Sequence, residues 1–506
     1  MNARRDVSEF GLRRWIIVLG VVLAPLLETI DSSIVNVALP TLQGNLGATL
    51  DQAAWVITGY LVANVIVIPI TPWLQDRFGR RQYFTATVVG FTIVSALCGC
   101  VDSITLLIAL RVLQGLFGGG LIATSQAALR DIFPPQEVGT SQAIFAVVIL
   151  IGPILAPMLG GYLIDVASWQ WIFFINIVPG AISAVIIGTM LRNPTDPAAQ
   201  PVDIAGLGLL AVALGSLQFF LEEGERRDWF DSPSIDIALF ASIAAAIGFV
   251  VWELRGTQRP IVDLRVLRYR GVYVAVLLAM GIATTLFGTT LIMPIFTQNV
   301  LGFTAYGSGV LLLFRALPVM LLTPAVAGLV ATGRIDSRIA MATGYVLTGI
   351  GSLLLALAFT SDTPFGAMLP GLIIGGLGTA MLLIPLLITV QTSTPVEDAA
   401  QAGSFVTLAF QLGGSIASAV IVTALDRRTD FHSDVLAGSI TLAHPAVRHA
   451  LAVTAPAQLA QLVTQQATTL AFADIGYGVA AFAILLTPFV LLLRRQTVVE
   501  GGLVLE

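Results

Sequence analysis

Glu28 and Asp31 stand near the middle of the first apolar stretch of this chain, Trp15 to Pro40. A charge in hydrocarbon costs at least about 2.5 kcal/mol, so an acid kept there faces a cavity, a pathway or a partner. Three residues apart on a helix, the two side chains project about 60° apart around the axis. Carboxyls in that setting take up and release protons, so the pair points to proton movement coupled to the movement of something else. A cation, Arg111, stands in the fourth apolar stretch within Leu110-Arg111-Val112-Leu113-Gln114-Gly115. An Arg in mid-membrane needs a partner, and Glu28 and Asp31 are the candidates. An Arg nearby favours the ionised acid, while burial favours the protonated one. That competition lets water access or a bound substrate decide whether the acids hold a proton. A structural salt bridge is the plain alternative.

Residues 72–81, Pro-Trp-Leu-Gln-Asp-Arg-Phe-Gly-Arg-Arg, form a short charged loop after the second stretch. Gly79 permits a tight turn. Asp76 can accept hydrogen bonds from a helix N-terminus or pair with an Arg. With Arg77, Arg80 and Arg81 it makes a latch that holds in one conformation and breaks in another, unless the arginines serve topology alone. The fifth stretch holds Gly152, Pro153, Pro157, Gly160 and Gly161. Small residues let helices approach closely and the prolines bend the helix, which on physics alone reads as membrane packing. Arg315 is a second isolated intramembrane cation, placed either to face a cavity and bind an anionic group or to snorkel. Gln114, Arg315, Trp55 and Tyr60 are candidates to line a substrate cavity, although most membrane aromatics only pack. Cys98 and Cys100 read as small apolar fillers. His432, His444 and His449 lack tight metal-ligand spacing and read as solvated surface.

The elements that must position these groups follow from composition. The chain has 506 residues, 56% hydrophobic and 11% charged, against about 25% charged in a soluble domain. Lipid is therefore its main solvent. The absence of a basic stripe excludes nucleic acid as a partner, and neither a nucleophile–base set nor a metal cluster marks it as an enzyme or implies a cofactor. Apolar runs near the required span of about 20 residues recur at 15–39, 52–74, 82–101, 104–129, 137–163, 169–191, 203–221, 234–253, 271–298, 306–330, 338–360, 365–391, 398–425 and 471–493. All 25 basic residues are Arg; 18 fall on the side of the N-terminus and 5 on the other. That bias puts both termini in the cytoplasm. A faint repeat relates Pro72–Arg81 after the second span to Gly328–Arg338 after the tenth. It implies an all-α integral membrane fold of two six-helix bundles, 1–192 and 271–506. Two inserted helices and a linker occupy 193–270, and a long outer loop 426–470 precedes the last span.

These motifs, in this order, resemble the major facilitator superfamily, and within it the fourteen-helix drug:proton antiporters of the EmrB/QacA type, closest to EmrB. The carriers are LETIDSSIVNVALP (27–40), DRFGRR (76–81), LRVLQG (110–115), GPILAPMLGG (152–161), WQWIFFIN (169–176), LGSLQ and DWF (214–230), PIVDL (260–264) and QLGGSI (411–416). Pro72, Ala156, Pro179 and Phe410 depart from the family's usual residues. The resemblance implies proton coupling through Asp31 and Arg111, a gating loop at Asp76–Arg81 and an antiporter motif at Gly152–Gly161. It also implies a multi-pass protein of the bacterial inner membrane that exports drugs or other small amphipathic compounds against protons. A periplasmic adaptor and an outer-membrane channel are its implied partners. A dedicated exporter of one metabolite, siderophore or lipid-like molecule is the alternative, and a non-transporting scaffold or sensor is a third reading.

Overall fold

Each apolar run closes its backbone hydrogen bonds on itself, which is what lipid demands of a spanning segment, and among the described residues fourteen helical passages result. The computed structural model describes residues 7–134, 137–194, 202–257, 260–395, 398–440, 456–493, 496–499 and 502–505. The passages are α1 (Gly11–Leu46), α2 (Leu50–Val67, continuing through Ile68–Ile70 into Thr71–Phe78), α3 (Arg80–Cys98) and α4 (Ile104–Gly118 with Leu121–Ile132). They continue with α5 (Val138–Val166), α6 (Ile177–Met190), α7 (Ile204–Glu223), α8 (Pro233–Val251) and α9 (Arg270–Asn299). The last five are α10 (Ala305–Ala331), α11 (Ser337–Ala358), α12 (Phe365–Ala380 with Leu383–Ser393), α13 (Ala399–Ser439) and α14 (Pro456–Leu486). Twelve are long and apolar enough to cross a membrane, α6 together with the turn Trp171–Phe174 before it, and α5, taken as one span across its 41° bend beside Pro153, is a thirteenth. α3, which opens on Arg80 and Arg81, completes the set. A short hairpin, β1 (Gln496–Val499) with β2 (Gly502–Leu505), follows.

Local chemistry fixes the ends. Thr49 and Gln52 form a reciprocal capping box at the start of α2, and Asp203 caps α7 through the Gly206 N–H at 2.9 Å. Gly47 and Gly79 take φ of 58° and 84°, conformations open to glycine, where α1 and α2 end. α4 breaks at Gly118–Gly120, and packing requires glycine there. A Cβ on Gly119 would lie 2.3 Å from the Asn64 carbonyl, and one on Gly120 would lie 2.1 Å from the Tyr83 hydroxyl. α1 sits at the centre of the first six helices, with Ser125 and Ser183 donating to the Val21 and Gly20 carbonyls.

The inserted pair is not peripheral. Trp55 of α2 stacks on Phe219 of α7 at 5.5 Å, and Thr58 donates to Glu223 at 2.9 Å. On its other side Gln218 donates to Ser415 of α13 at 2.7 Å, and Trp229, just past α7, reaches Thr423 at 3.0 Å. α7 thus spans from the second helix to the thirteenth.

The stretch 426–470, expected as one long polar loop, is largely helical over its described residues, 426–440 and 456–470. α13 runs on to Ser439 and α14 begins at Pro456. Loss of apolar character there marks an exit from lipid, not an end of the helix. His432 is not simply solvated: it lies 2.8 Å from Asp474, which Arg428 also holds at 2.5 Å. His444 and His449 lie outside the described residues, as do Arg4, Arg5, Arg259, Arg448, Arg494 and Arg495 from the topology count. Cys98 is buried and Cys100 exposed, both as free thiols.

Candidate proton-coupling site

Asp31 and Arg111 meet where α1, α2 and α4 converge, both at 0% exposure. Arg111 Nη1 donates to Asp31 Oδ2 at 2.5 Å and to Gln114 Oε1 at 2.7 Å, and its Nε donates to the Val56 carbonyl at 3.1 Å. The guanidinium lies 4.2 Å from the centre of the Tyr60 ring, a cation–π contact. Asp31 Oδ1 accepts from Gln114 Nε2 at 3.1 Å and from Asn176 Nδ2 at 2.9 Å. Asn176 also donates to Ser95 of α3. One carboxylate therefore collects three donors, from α4 and from the residue that opens α6. In low dielectric such a pair stands only when both charges are fully satisfied; removing one partner costs about 3–5 kcal/mol.

Glu28 goes elsewhere. It accepts from Asn64 Nδ2 at 2.8 Å and from the backbone N–H of Ile122 at 3.2 Å. Ile122 is in the first turn of the second half of α4, so Glu28 caps that half-helix, where a negative charge is favoured. Of the two candidate partners of Arg111, Asp31 takes it and Glu28 does not: the 60° offset turns Glu28 to the helix break and Asp31 to the guanidinium. Both acids grip α4, one on each side of its glycine break.

Gly152 and Gly160 bring α5 against the same stretch of α1. A Cβ on Gly152 would lie 1.9 Å from Thr29 Oγ1, and one on Gly160 would lie 2.8 Å from Ile34. Gly161 is buried, while Pro153 and Pro157 lie half-buried at the bend of α5. α5 also meets the second half, since a Cβ on Gly309 of α10 would lie 2.8 Å from Met158.

The charged loop lies apart from this cluster, at the end of α2. Arg80 ion-pairs with Asp131 at the end of α4 and donates to Gln75 at 2.8 Å and to the Ala127 carbonyl at 3.3 Å. The Arg81 backbone N–H donates to Asn193 at 2.8 Å, and the Arg77 guanidinium lies 5.6 Å from the Trp73 and Phe78 rings. Asp76 is exposed on the last turn of α2. Nearby, Gln401 of α13 reaches the Pro69 carbonyl at 3.5 Å, tying the two halves together on this face.

Of the proposed cavity residues, Gln114 and Tyr60 join the Asp31 cluster, Trp55 faces α7, and Arg315 lies in the second half, on α10. Asn176, Asn64 and Ser95 were not read from the sequence as functional. Their signal is an uncharged polar side chain inside an apolar run, which must find a partner when buried.

The fold and these motifs agree with known proteins. Residues 21–418 match the Major Facilitator Superfamily. The multidrug export protein EmrB of Escherichia coli K12 is 32% identical over 436 residues, 86% of this chain and 85% of that one. The fatty acid resistance protein FarB of Neisseria gonorrhoeae is 34% identical over 429 residues, 84% of this chain and 83% of that one. The human organic anion transporter MFSD10 (TETRAN) superimposes with a TM-score of 0.58 at 15% identity, covering 93% of this chain and 99% of that one, which shows the fold alone. The chain is a multi-pass membrane protein of the major facilitator superfamily and belongs to its EmrB type.

Proposed function

We propose that the protein is a proton-coupled antiporter that exports drugs or other small amphipathic compounds across the bacterial inner membrane by alternating access. The observation that carries this reading is Asp31, wholly buried and held by three donors from Arg111, Gln114 and Asn176. A proton on Asp31 sets an O–H against one of those donors and breaks that contact. A proton on Glu28 does the same to Asn64 or to the Ile122 N–H. Each event loosens α1 from one segment of α4. Proton binding is thereby turned into a change of helix packing, and the Gly152 contact passes it to α5 and through Met158 to α10.

The cycle follows. With both termini in the cytoplasm, cargo enters from the inner side and displaces protons from these acids. The bundles 1–192 and 271–506 then rock, and reprotonation from the outside releases the cargo. The tie at Gln401–Pro69 closes the inner face and must part for it to open. The names of the relatives, a multidrug exporter and a fatty acid resistance protein, fit amphipathic cargo. A periplasmic adaptor and an outer-membrane channel complete the route. The 41 residues of α13 extend about 60 Å, roughly twice the hydrocarbon thickness, and with α14 supply a helical platform beyond the membrane.

The test is dye uptake into everted membrane vesicles carrying an acid interior. Accumulation is expected to collapse, by about tenfold or more, when a protonophore removes the pH difference that drives it. Undiminished accumulation with the protonophore present would contradict the coupling.

A further inference from the structure

Two arginines of this chain are buried among the described residues, and their surroundings are opposite. Arg111 is met by Asp31, Gln114, the Val56 carbonyl and the Tyr60 ring. Arg315, 2% exposed, makes two long contacts, to Thr379 Oγ1 at 3.3 Å and to the Leu286 carbonyl at 3.5 Å. Its Nε has no protein partner, and among the described residues no carboxylate lies within ion-pair distance. A guanidinium offers five donors and does not give up its charge. Leaving it unpaired inside a membrane protein is costly, and such residues mark substrate or ion pathways.

Its position is equally informative. Leu286 is on α9, Arg315 on α10 and Thr379 on α12. By the repeat that relates the tenth span to the second, these helices correspond to α1, α2 and α4, whose junction holds Asp31. Gly376 lets α12 close on this point, for a Cβ there would lie 2.3 Å from the Arg315 carbonyl. The junction in one half carries a satisfied carboxylate, and its counterpart in the other carries a cation without one.

The geometry points to Arg315 as the anion-binding point of the transport path, and to amphipathic molecules bearing a carboxylate as the cargo class. The planar fork of the guanidinium suits a two-oxygen anion. Leu286 on α9 and Leu312 and Ala316 on α10, all buried, give the junction an apolar character that suits a hydrocarbon tail. This inference rests on the export reading above, but its test does not need transport.

Purified protein is titrated calorimetrically with decanoate and, separately, with decan-1-ol, which has the same chain and no charge. Wild type is expected to bind decanoate about tenfold or more tightly than decan-1-ol, the worth of one charge-assisted contact. In Arg315→Gln that ratio falls to about one, and in Arg315→Lys part of it survives. Thermal unfolding gives a second readout. Decanoate raises the midpoint of wild type and not of Arg315→Gln. Without ligand, Arg315→Gln unfolds no earlier than wild type, because the change removes an uncompensated charge. An earlier unfolding of Arg315→Gln with an unchanged decanoate preference would make the residue structural and overturn the proposal. Retention of phosphatidylglycerol by wild type alone, with no displacement by decanoate, would assign the same oxyanion chemistry to a lipid headgroup and overturn it as well. Decanoate binding at Arg315 without proton-driven flux would instead leave this site standing and sink the export reading.

Discussion

Asp31→Asn is expected to reduce proton-driven efflux to the level of membranes lacking the protein. The loss is roughly a hundredfold or more, because the substituted amide cannot carry the proton that the cycle exchanges. The same change also strips Arg111 of its counter-charge. An uncompensated buried charge costs about 3–5 kcal/mol, so the single variant should unfold at a lower temperature. These two consequences separate in a double variant. Asp31→Asn with Arg111→Gln removes both charges and should recover most of the lost thermal stability while remaining inactive. Efflux measured with dye-loaded cells, alongside unfolding midpoints of the purified proteins, checks both. Recovery of efflux in the double variant would make the pair a structural salt bridge and nothing more.

Gly152→Val should be nearly as damaging, for a reason that involves no charge. Even the first added carbon would lie 1.9 Å from Thr29 Oγ1 and 2.5 Å from Thr29 Cβ. Thr29 cannot swing aside freely, since its hydroxyl is bonded to the Pro25 carbonyl at 2.9 Å. α5 must therefore move off α1 beside Glu28. Overpacking of this kind costs about 1–3 kcal/mol, and transport should fall by about tenfold or more as the two acids lose their setting. Thr29→Gly placed in the Gly152→Val background removes the obstructing atoms and should restore a large part of the activity. Efflux of the single and paired variants decides it; a paired variant no better than Gly152→Val would show that the contact is not what the glycine protects.

The charges made much of this site legible in advance. Asp31 and Arg111 lie in separate apolar runs, and the cost of burying either alone predicts that they meet. The fate of Glu28 was not legible. Helical spacing tells how far two side chains diverge, but not which neighbour each then meets, and that neighbour is set by the break in α4. Asn176 carried a weaker signal, since a neutral amide costs less to bury than a charge and draws less notice. Trp55 shows a different limit: an aromatic residue reads alike whether it lines a cavity or, as here, stacks on an inserted helix. The helical extensions of α13 and α14 were hidden because mean hydropathy reports the surrounding solvent rather than the backbone. The span limits held well wherever lipid and helix end together, as at α8 and α11.

The central claim is that protons bound within the first bundle leave when cargo arrives. Its most direct measurement is proton release from the purified protein in weakly buffered detergent solution as substrate is added, followed with a pH-indicator dye. Wild type should release protons in proportion to the substrate it binds, and Asp31→Asn should bind the same compound and release markedly fewer. Substrate binding with no proton release by wild type, or equal release by Asp31→Asn, would contradict the account.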